Sequence, residues 1–261
     1  MIERYLNPEI NSIWDDQNKF NTWKLVQEKY VETLEELDVA ENGIAKKINQ
    51  SVVQKDEVYK QEEITNHDLA SFVDILQKKV GEGSNWIHYG LTSSDIVDTA
   101  NSILITQSLD YVKDLVNDLL STLQEQAVQE KDTLIIGRTH GVYAEETFLG
   151  NIFGNWHLEV ARGLNRLENS KNNISFGKLS GPVGNHSIVT SEMEKLTLEK
   201  LNLKPEQFAN QIVSRDRYAE VVSSLGILAS TYERIATNIR SYQRSEISEM
   251  FESFKDGQKG S

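Results

Sequence analysis

Phe20, Trp23, Val26, Tyr30, Leu34 and Leu37 recur at intervals of three and four residues, the pattern of a helix that buries one face. Ahead of this stripe, Asn7 followed by Pro8 predicts a helix start, with asparagine as cap and proline where its missing N–H costs nothing. Arg4 and Tyr5 then belong to an arm before the first helix. Leu69, Phe72, Val73, Leu76 and Val80 form a second stripe, stopped by Gly81 and Gly83 and headed by His67 and Asp68. From Leu91 to Ile136 neither Gly nor Pro occurs, and Ile96, Ala100, Ile103, Leu104, Leu115, Leu119 and Leu123 keep a helical period. One helix of about 35 to 40 residues is predicted, roughly 55 Å long, against about 45 to 50 Å for a compact globule of this chain length. Such a rod needs neighbours along its whole length.

A second rod is predicted from Arg215 to Phe254, where Tyr218, Val221, Leu225, Leu228, Tyr232, Ile235, Ile239, Tyr242 and Ile247 stay in register. Between the rods, Ala144 to Leu167 reads as a helix in which Gly150 and Gly154 allow close backbone approach. Gly177 to Gly184, with Pro182 inside it, reads as a long loop, and Ser191 with Glu194 as the capping box of a short helix. With only three prolines in 261 residues, the expected fold class is all-α. The expected division is a small N-terminal helical domain, 1–109, and an elongated long-helix bundle, 110–261, with a boundary soft by about ten residues.

Composition narrows the chemistry. The absence of cysteine excludes disulfides, thiol catalysis and thiolate zinc sites, leaving oxygen and imidazole groups. Twenty-seven basic against 40 acidic residues give a net charge of -13, a field that repels nucleic acid and anionic membranes, so an anionic ligand requires a local cluster. Short apolar runs and a start without an apolar core predict a soluble, cytoplasmic chain with no membrane partner. The histidines at 67, 88, 140, 157 and 186 include no pair four residues apart, and Gly177, Gly181 and Gly184 lack dinucleotide or phosphate-loop spacing. Neither a metal nor a cofactor is expected.

Three polar clusters fall at breaks between predicted helices. His67-Asp68 reads as a helix cap or as a ligand contact. The run His88-Tyr89-Gly90-Leu91-Thr92-Ser93-Ser94-Asp95 offers hydroxyls and free N–H groups at the start of a long helix, which suits either an anion site or a plain cap. Gly137-Arg138-Thr139-His140-Gly141 sets a histidine between glycines, outside any apolar stripe, as a candidate acid or base. His157 and His186 read as structural.

With those clusters in place, the sequence resembles the adenylosuccinate lyases of the fumarase and aspartase superfamily from end to end. The resemblance is carried by Arg4-Tyr5, His67-Asp68-Leu69-Ala70-Ser71-Phe72-Val73, the run from His88 to Ala100, Gly137-Arg138-Thr139-His140-Gly141, Gln211 with Arg215-Asp216-Arg217, and Gln258-Lys259-Gly260-Ser261. It implies a fumarase/aspartase-like fold and elimination of fumarate from a succinyl-nucleotide substrate, adenylosuccinate or the succinylated aminoimidazole carboxamide ribotide. It further implies His140 as general acid and Ser261, at the head of a mobile signature loop, as general base. Arg4, Tyr5, Asn66, His67 and Asp68 would hold the nucleotide, Thr92 and Ser93 a carboxylate, and Gln211 the purine or succinyl part. The resemblance also implies a homotetramer built around long helices.

Two departures from the family pattern stand out. Tyr143-Ala144-Glu145-Glu146 replaces the usual His-Ala-Glu-Pro, and the chain stops inside the signature loop. The expectation is an N-terminal portion without its C-terminal domain and without turnover of its own. Argininosuccinate lyase, fumarase or aspartase activity, and a noncatalytic helical assembly protein, are the competing readings.

Overall fold

The computed structural model describes residues 2–260. Nine α-helices and two small two-stranded sheets make up the described residues: α1 (Pro8–Ile13), α2 (Asp16–Glu36), α3 (Ile44–Gln50), α4 (Lys55–Thr65), α5 (Asp68–Val80), α6 (Ser93–Gln129), β1 (Leu134–Thr139), β2 (Val142–Phe148), α7 (Leu149–Ile174), β3 (Phe176–Gly177), α8 (Ser191–Lys200), β4 (Lys204–Pro205) and α9 (Asp216–Tyr242). The fold is all-α in class, as the periodicity predicts. α6 is the expected rod at 37 residues. Asn7 caps α1, its side chain accepting from Ile10 N–H, with Pro8 at the first position.

The described chain forms two compact units, residues 2–111 with Lys171–Ala219, and Val112–Ser170 with residues 220–260; α6, α7 and α9 each contribute residues to both. In the first unit the two predicted stripes meet. Phe20 and Phe72 stack at 6.0 Å between ring centroids, and Trp23 lies edge-on to both, at 5.2 and 5.6 Å. Ile96 and Ala100 of α6, and Leu179, Val189 and Leu198 from the returning segment, close the same core. Each such large side chain contributes about 1.5–3 kcal/mol by leaving water. β3 and β4 pair in parallel, Phe176 with Lys204 and Gly177 with Pro205. A Cβ on Gly177 would sit 2.4 Å from Leu198 Cδ2, so only glycine admits this approach.

The second unit is thinner. Val116, Leu123, Trp156, Val160, Leu167, Val221 and Leu228 are buried, whereas Leu115, Val128, Leu158, Val222 and Ile227 lie exposed on the same rods. Gly150 packs under α6, a Cβ there falling 2.5 Å from Ala127 O, but Gly154 meets nothing within 4 Å.

Three local expectations are corrected. The helix expected from Ala144 begins at Leu149, because residues 142–148 pair antiparallel with 134–139 as a hairpin. The segment Tyr143-Ala144-Glu145-Glu146 buries none of its side chains, while Ile135 opposite Thr147 buries one side of the ribbon. The second rod ends at Tyr242, followed by a tight turn in which Ser248 N–H and Ile247 N–H both reach Arg244 O at 2.8 Å. The cap of α8 is Thr190, accepting from Met193 N–H, and Glu194 instead turns inward. No helix among the described residues is long and apolar enough to cross a membrane.

Candidate active site

In the first unit, the opening turns of α6 anchor the loops around them. Asp95 and Asp98 are three residues apart and therefore share a helix face. Asp95 accepts from Thr92 N–H at 2.8 Å and Gly181 N–H at 3.1 Å, and forms a fully buried ion pair with Lys178. Lys178 Nζ also donates to Gly181 O at 2.7 Å. Burial pushes the Asp95 carboxyl up, against the opposing pull of Lys178 and the two amides. Asp98 takes a two-pronged contact from Arg215, at 3.0 and 3.1 Å, and accepts from Val213 N–H at 2.9 Å. One acidic residue thus holds the loop at 178–181 and the other the segment at 213–215.

His67, Asn66, Asp68, Thr92 and Ser93 gather around this helix start. His67 is the N-cap of α5, its Nδ1 3.4 Å from Ala70 N–H, which leaves Nε2 facing Ser93 Oγ at 3.3 Å. Asp68 stands beside it, Oδ1 lying 3.4 Å from His67 Nδ1 and accepting from Leu69 N–H at 2.7 Å. Asn66 ends α4 in the left-handed conformation, φ 51°, turning the chain so that His67 can cap. Thr92 precedes Ser93 and is fixed by its N–H to Asp95. His88 lies within electrostatic reach of the cluster: burial first, and then His67, press the His88 imidazole down to about 4.

The other expected contacts lie in the same unit. Arg4 and Tyr5 form a short exposed turn in which the guanidinium lies 5.9 Å from the Tyr5 ring centroid. Gln211 lies exposed between Asn210, which accepts from Ile212 N–H at 3.3 Å, and the anchored Val213.

In the second unit, His140 and Gly141 are the two loop residues of the β1–β2 hairpin, with φ of 55° and 75°. Two consecutive positive φ values define the tight turn whose twist matches a hairpin. His140 is exposed and makes no hydrogen bond among the described residues. Behind it, Arg138 grips Glu249 with both terminal nitrogens, at 2.8 and 2.9 Å, and lies 5.3 Å from the Tyr143 ring centroid. A groove of about 790 Å³ opens here, lined by Arg138, Gly141, Tyr143, Asn238, Tyr242 and Arg244 among others. Tyr143 and Glu146, the two departures near His140, both face solvent on β2. Ser261 lies outside the described residues. Among the described residues no group of three or more acidic or histidine side chains is gathered as a metal would require.

Two anchoring residues, Gln27 and Lys178, escaped the sequence reading, as did the pairing of Asp98 with Arg215 and the inward turn of Glu194 onto Leu179 N–H. Gln27 carried a signal, since it occupies a buried position on the face of Phe20, Trp23, Tyr30 and Leu34, where an apolar residue is expected. Lys178 carried none; a lysine in a glycine-rich loop reads as solvated.

Comparison with known proteins gives this arrangement a context. A protein-family model described as Lyase matches residues 14–261. The chain belongs to the lyase family. Within it, the chain is 39% identical to adenylosuccinate lyase of Aquifex aeolicus and 40% identical to that of Thermotoga maritima, with 100% of this chain and 61% of each relative covered. The chain therefore spans about three-fifths of the length of these relatives. Among solved structures, a fumarate lyase from Mesorhizobium sp. BNC1 superposes with a TM-score of 0.86 at 20% identity, covering 92% of this chain and 58% of that one. The 3-carboxy-cis,cis-muconate lactonizing enzyme from Pseudomonas putida gives 0.86 at 20% identity over 95% and 59%. At that identity these two establish the shared fold.

Proposed function

We propose that the chain is the N-terminal part of an adenylosuccinate lyase, a carbon–nitrogen lyase that releases fumarate from adenylosuccinate to leave AMP and acts likewise on the succinylated aminoimidazole carboxamide ribotide. The observation that carries this is the 39–40% identity to named adenylosuccinate lyases along the whole chain, twice the identity to lyase-fold enzymes of other names.

The elimination needs two proton transfers. A base takes the proton from the carbon beside a carboxylate, that electron pair becomes the new double bond, the carbon–nitrogen pair leaves with nitrogen, and an acid protonates the nitrogen. His140 is assigned as the acid. Its imidazole is exposed at the tip of a two-residue turn, where it is open to an incoming substrate. Ser261 is assigned as the base, active once a closed loop excludes water. Thr92 and Ser93 would bind a substrate carboxylate at the N-terminus of α6, where free N–H groups and the helix dipole favour an anion. His67, Asp68, Asn66, Arg4 and Tyr5 would bind the nucleotide, and Gln211 the purine or succinyl group.

A homo-oligomer, by resemblance a tetramer, and a cytoplasmic location complete the proposal. The exposed Leu115, Val128, Leu158, Val222 and Ile227 support the first, since unpaired apolar positions along rods are what copies of a helix bundle bury. The test is to supply adenylosuccinate to the full-length polypeptide and follow fumarate. Release from argininosuccinate instead would replace the assignment.

A further inference from the structure

His88 has a backbone φ of 64°, a left-handed conformation that a histidine side chain does not favour by itself. What imposes it is visible on α2. Gln27 is completely buried, and its Oε1 accepts from His88 N–H at 2.9 Å while its Nε2 lies 3.1 Å from His88 Nδ1. The backbone N–H can only donate, so the carbonyl end of the Gln27 amide must face it. The NH₂ end must then face the ring, and Nδ1 must accept. The proton of a neutral imidazole is thereby left on Nε2, which makes no hydrogen bond among the described residues. Tyr30, one turn along α2, donates to Tyr89 O at 2.8 Å and fixes the next peptide. Among the described residues, the titratable side chain that bears on the ring is His67, at the head of α5, itself 3.3 Å from Ser93 Oγ.

We infer that Gln27 is a positioning residue that holds His88 as the neutral Nε2–H tautomer, so that the ring offers a ligand an uncharged hydrogen-bond donor. The ligand half rests on the proposed lyase function; the tautomer half does not. A glutamate at position 27 would reverse the arrangement. Its carboxylate would still accept from His88 N–H, but it could only accept from the ring, so Nδ1 would carry a proton and the imidazolium would be favoured.

Long-range ¹H–¹⁵N spectra of the histidine-labelled 261-residue chain read this directly. The expected result is a proton-free Nδ1 and a protonated Nε2 at His88 from pH 8 to about 5.5, below the ordinary histidine range. Gln27→Glu should move a proton to Nδ1 and raise the titration of His88 by one pH unit or more, as an adjacent opposite charge does. A protonated Nδ1 in the unaltered chain overturns the inference, as does Gln27→Glu with tautomer and titration unchanged. Should Gln27→Glu not fold, Gln27→Met serves, and a mixture of both tautomers is expected. In the full-length enzyme Gln27→Glu should change KM for adenylosuccinate at least tenfold with a smaller change in kcat. An unchanged KM with the tautomer switched overturns the ligand half. Absence of adenylosuccinate turnover in the unaltered enzyme would count against the lyase assignment and leave the tautomer result standing.

Discussion

Lys178 meets Asp95 at the start of α6 in surroundings where neither side chain reaches solvent. Removing one partner of such a pair leaves a bare charge in the core, a loss of about 3–5 kcal/mol, whereas removing both charges together is far less harmful. Lys178→Met and Asp95→Asn should each lower the melting temperature strongly. The double variant should be more stable than the sum of the two losses predicts. Thermal unfolding of the four proteins closes the cycle, and simple additivity would show that the contact is not coupled.

His88 supplies a pH prediction with a definite sign. Its folded-state titration is pressed from 6.5 down to about 4, by burial first and then by His67. Between those values the unfolded chain takes up a proton that the folded chain refuses. Stability from this group is therefore complete above pH 6.5 and is lost as pH falls toward 4. His88→Asn keeps a residue that accepts the left-handed conformation and removes the titration. Between pH 7 and 4.5 its melting temperature should fall less steeply than that of the unaltered chain. Parallel curves would contradict the prediction.

The helices were legible because their stripes are long. Phe20 to Leu34 and Leu69 to Val80 each repeat the period often enough to exclude a strand, and both are buried as predicted. The hairpin was hidden because β2 exposes nearly all its residues, so no alternation of apolar and polar side chains marks it. His140-Gly141 is also an uncommon choice where Asn-Gly or Asp-Gly is the usual signal. In the candidate site, His67, Thr92, Ser93 and His140 stood out as polar groups at helix breaks. Asp98 with Arg215, and Lys178 with Asp95, did not, because pairs separated by 117 and 83 residues leave no local trace.

The hairpin glycines should separate in their cost. Gly141 has φ of 75° and open space where a Cβ would stand, so Gly141→Ala carries only the left-handed penalty of about 1–2 kcal/mol. At Gly137, where the register shifts, a Cβ would lie 2.8 Å from Glu145 O across the ribbon. Gly137→Ala should therefore force the strands apart. Hydrogen exchange at Ile136 and Tyr143 amides checks this: faster exchange is expected in the Gly137 variant than in the Gly141 variant.

Leu158 and Val222, 60% and 68% exposed, test the proposed oligomer. Leu158→Glu and Val222→Glu replace side chains that bury little within the chain, so the folded monomer should lose no more than about 0.5 kcal/mol. An interface between copies would instead have to bury the new charges, and sedimentation velocity of the full-length protein should show dissociation. An unaltered sedimentation coefficient in both variants would place the interface elsewhere.

His140 allows the assigned acid to be removed without disturbing the turn that carries it. Alanine is a poor choice, because a φ of 55° strains it and a loss of activity could then reflect a loosened hairpin. Asparagine adopts that conformation readily and is itself a common residue of such turns. His140 makes no hydrogen bond among the described residues, so His140→Asn should leave the melting temperature and the oligomeric state of the full-length enzyme unchanged. A proton donor to the departing nitrogen contributes about 10²–10⁴-fold to the rate, and kcat for fumarate release should fall within that range while KM changes little. A variant that keeps full turnover would move the acid to another residue, and one that raises KM alone would make His140 a binding group.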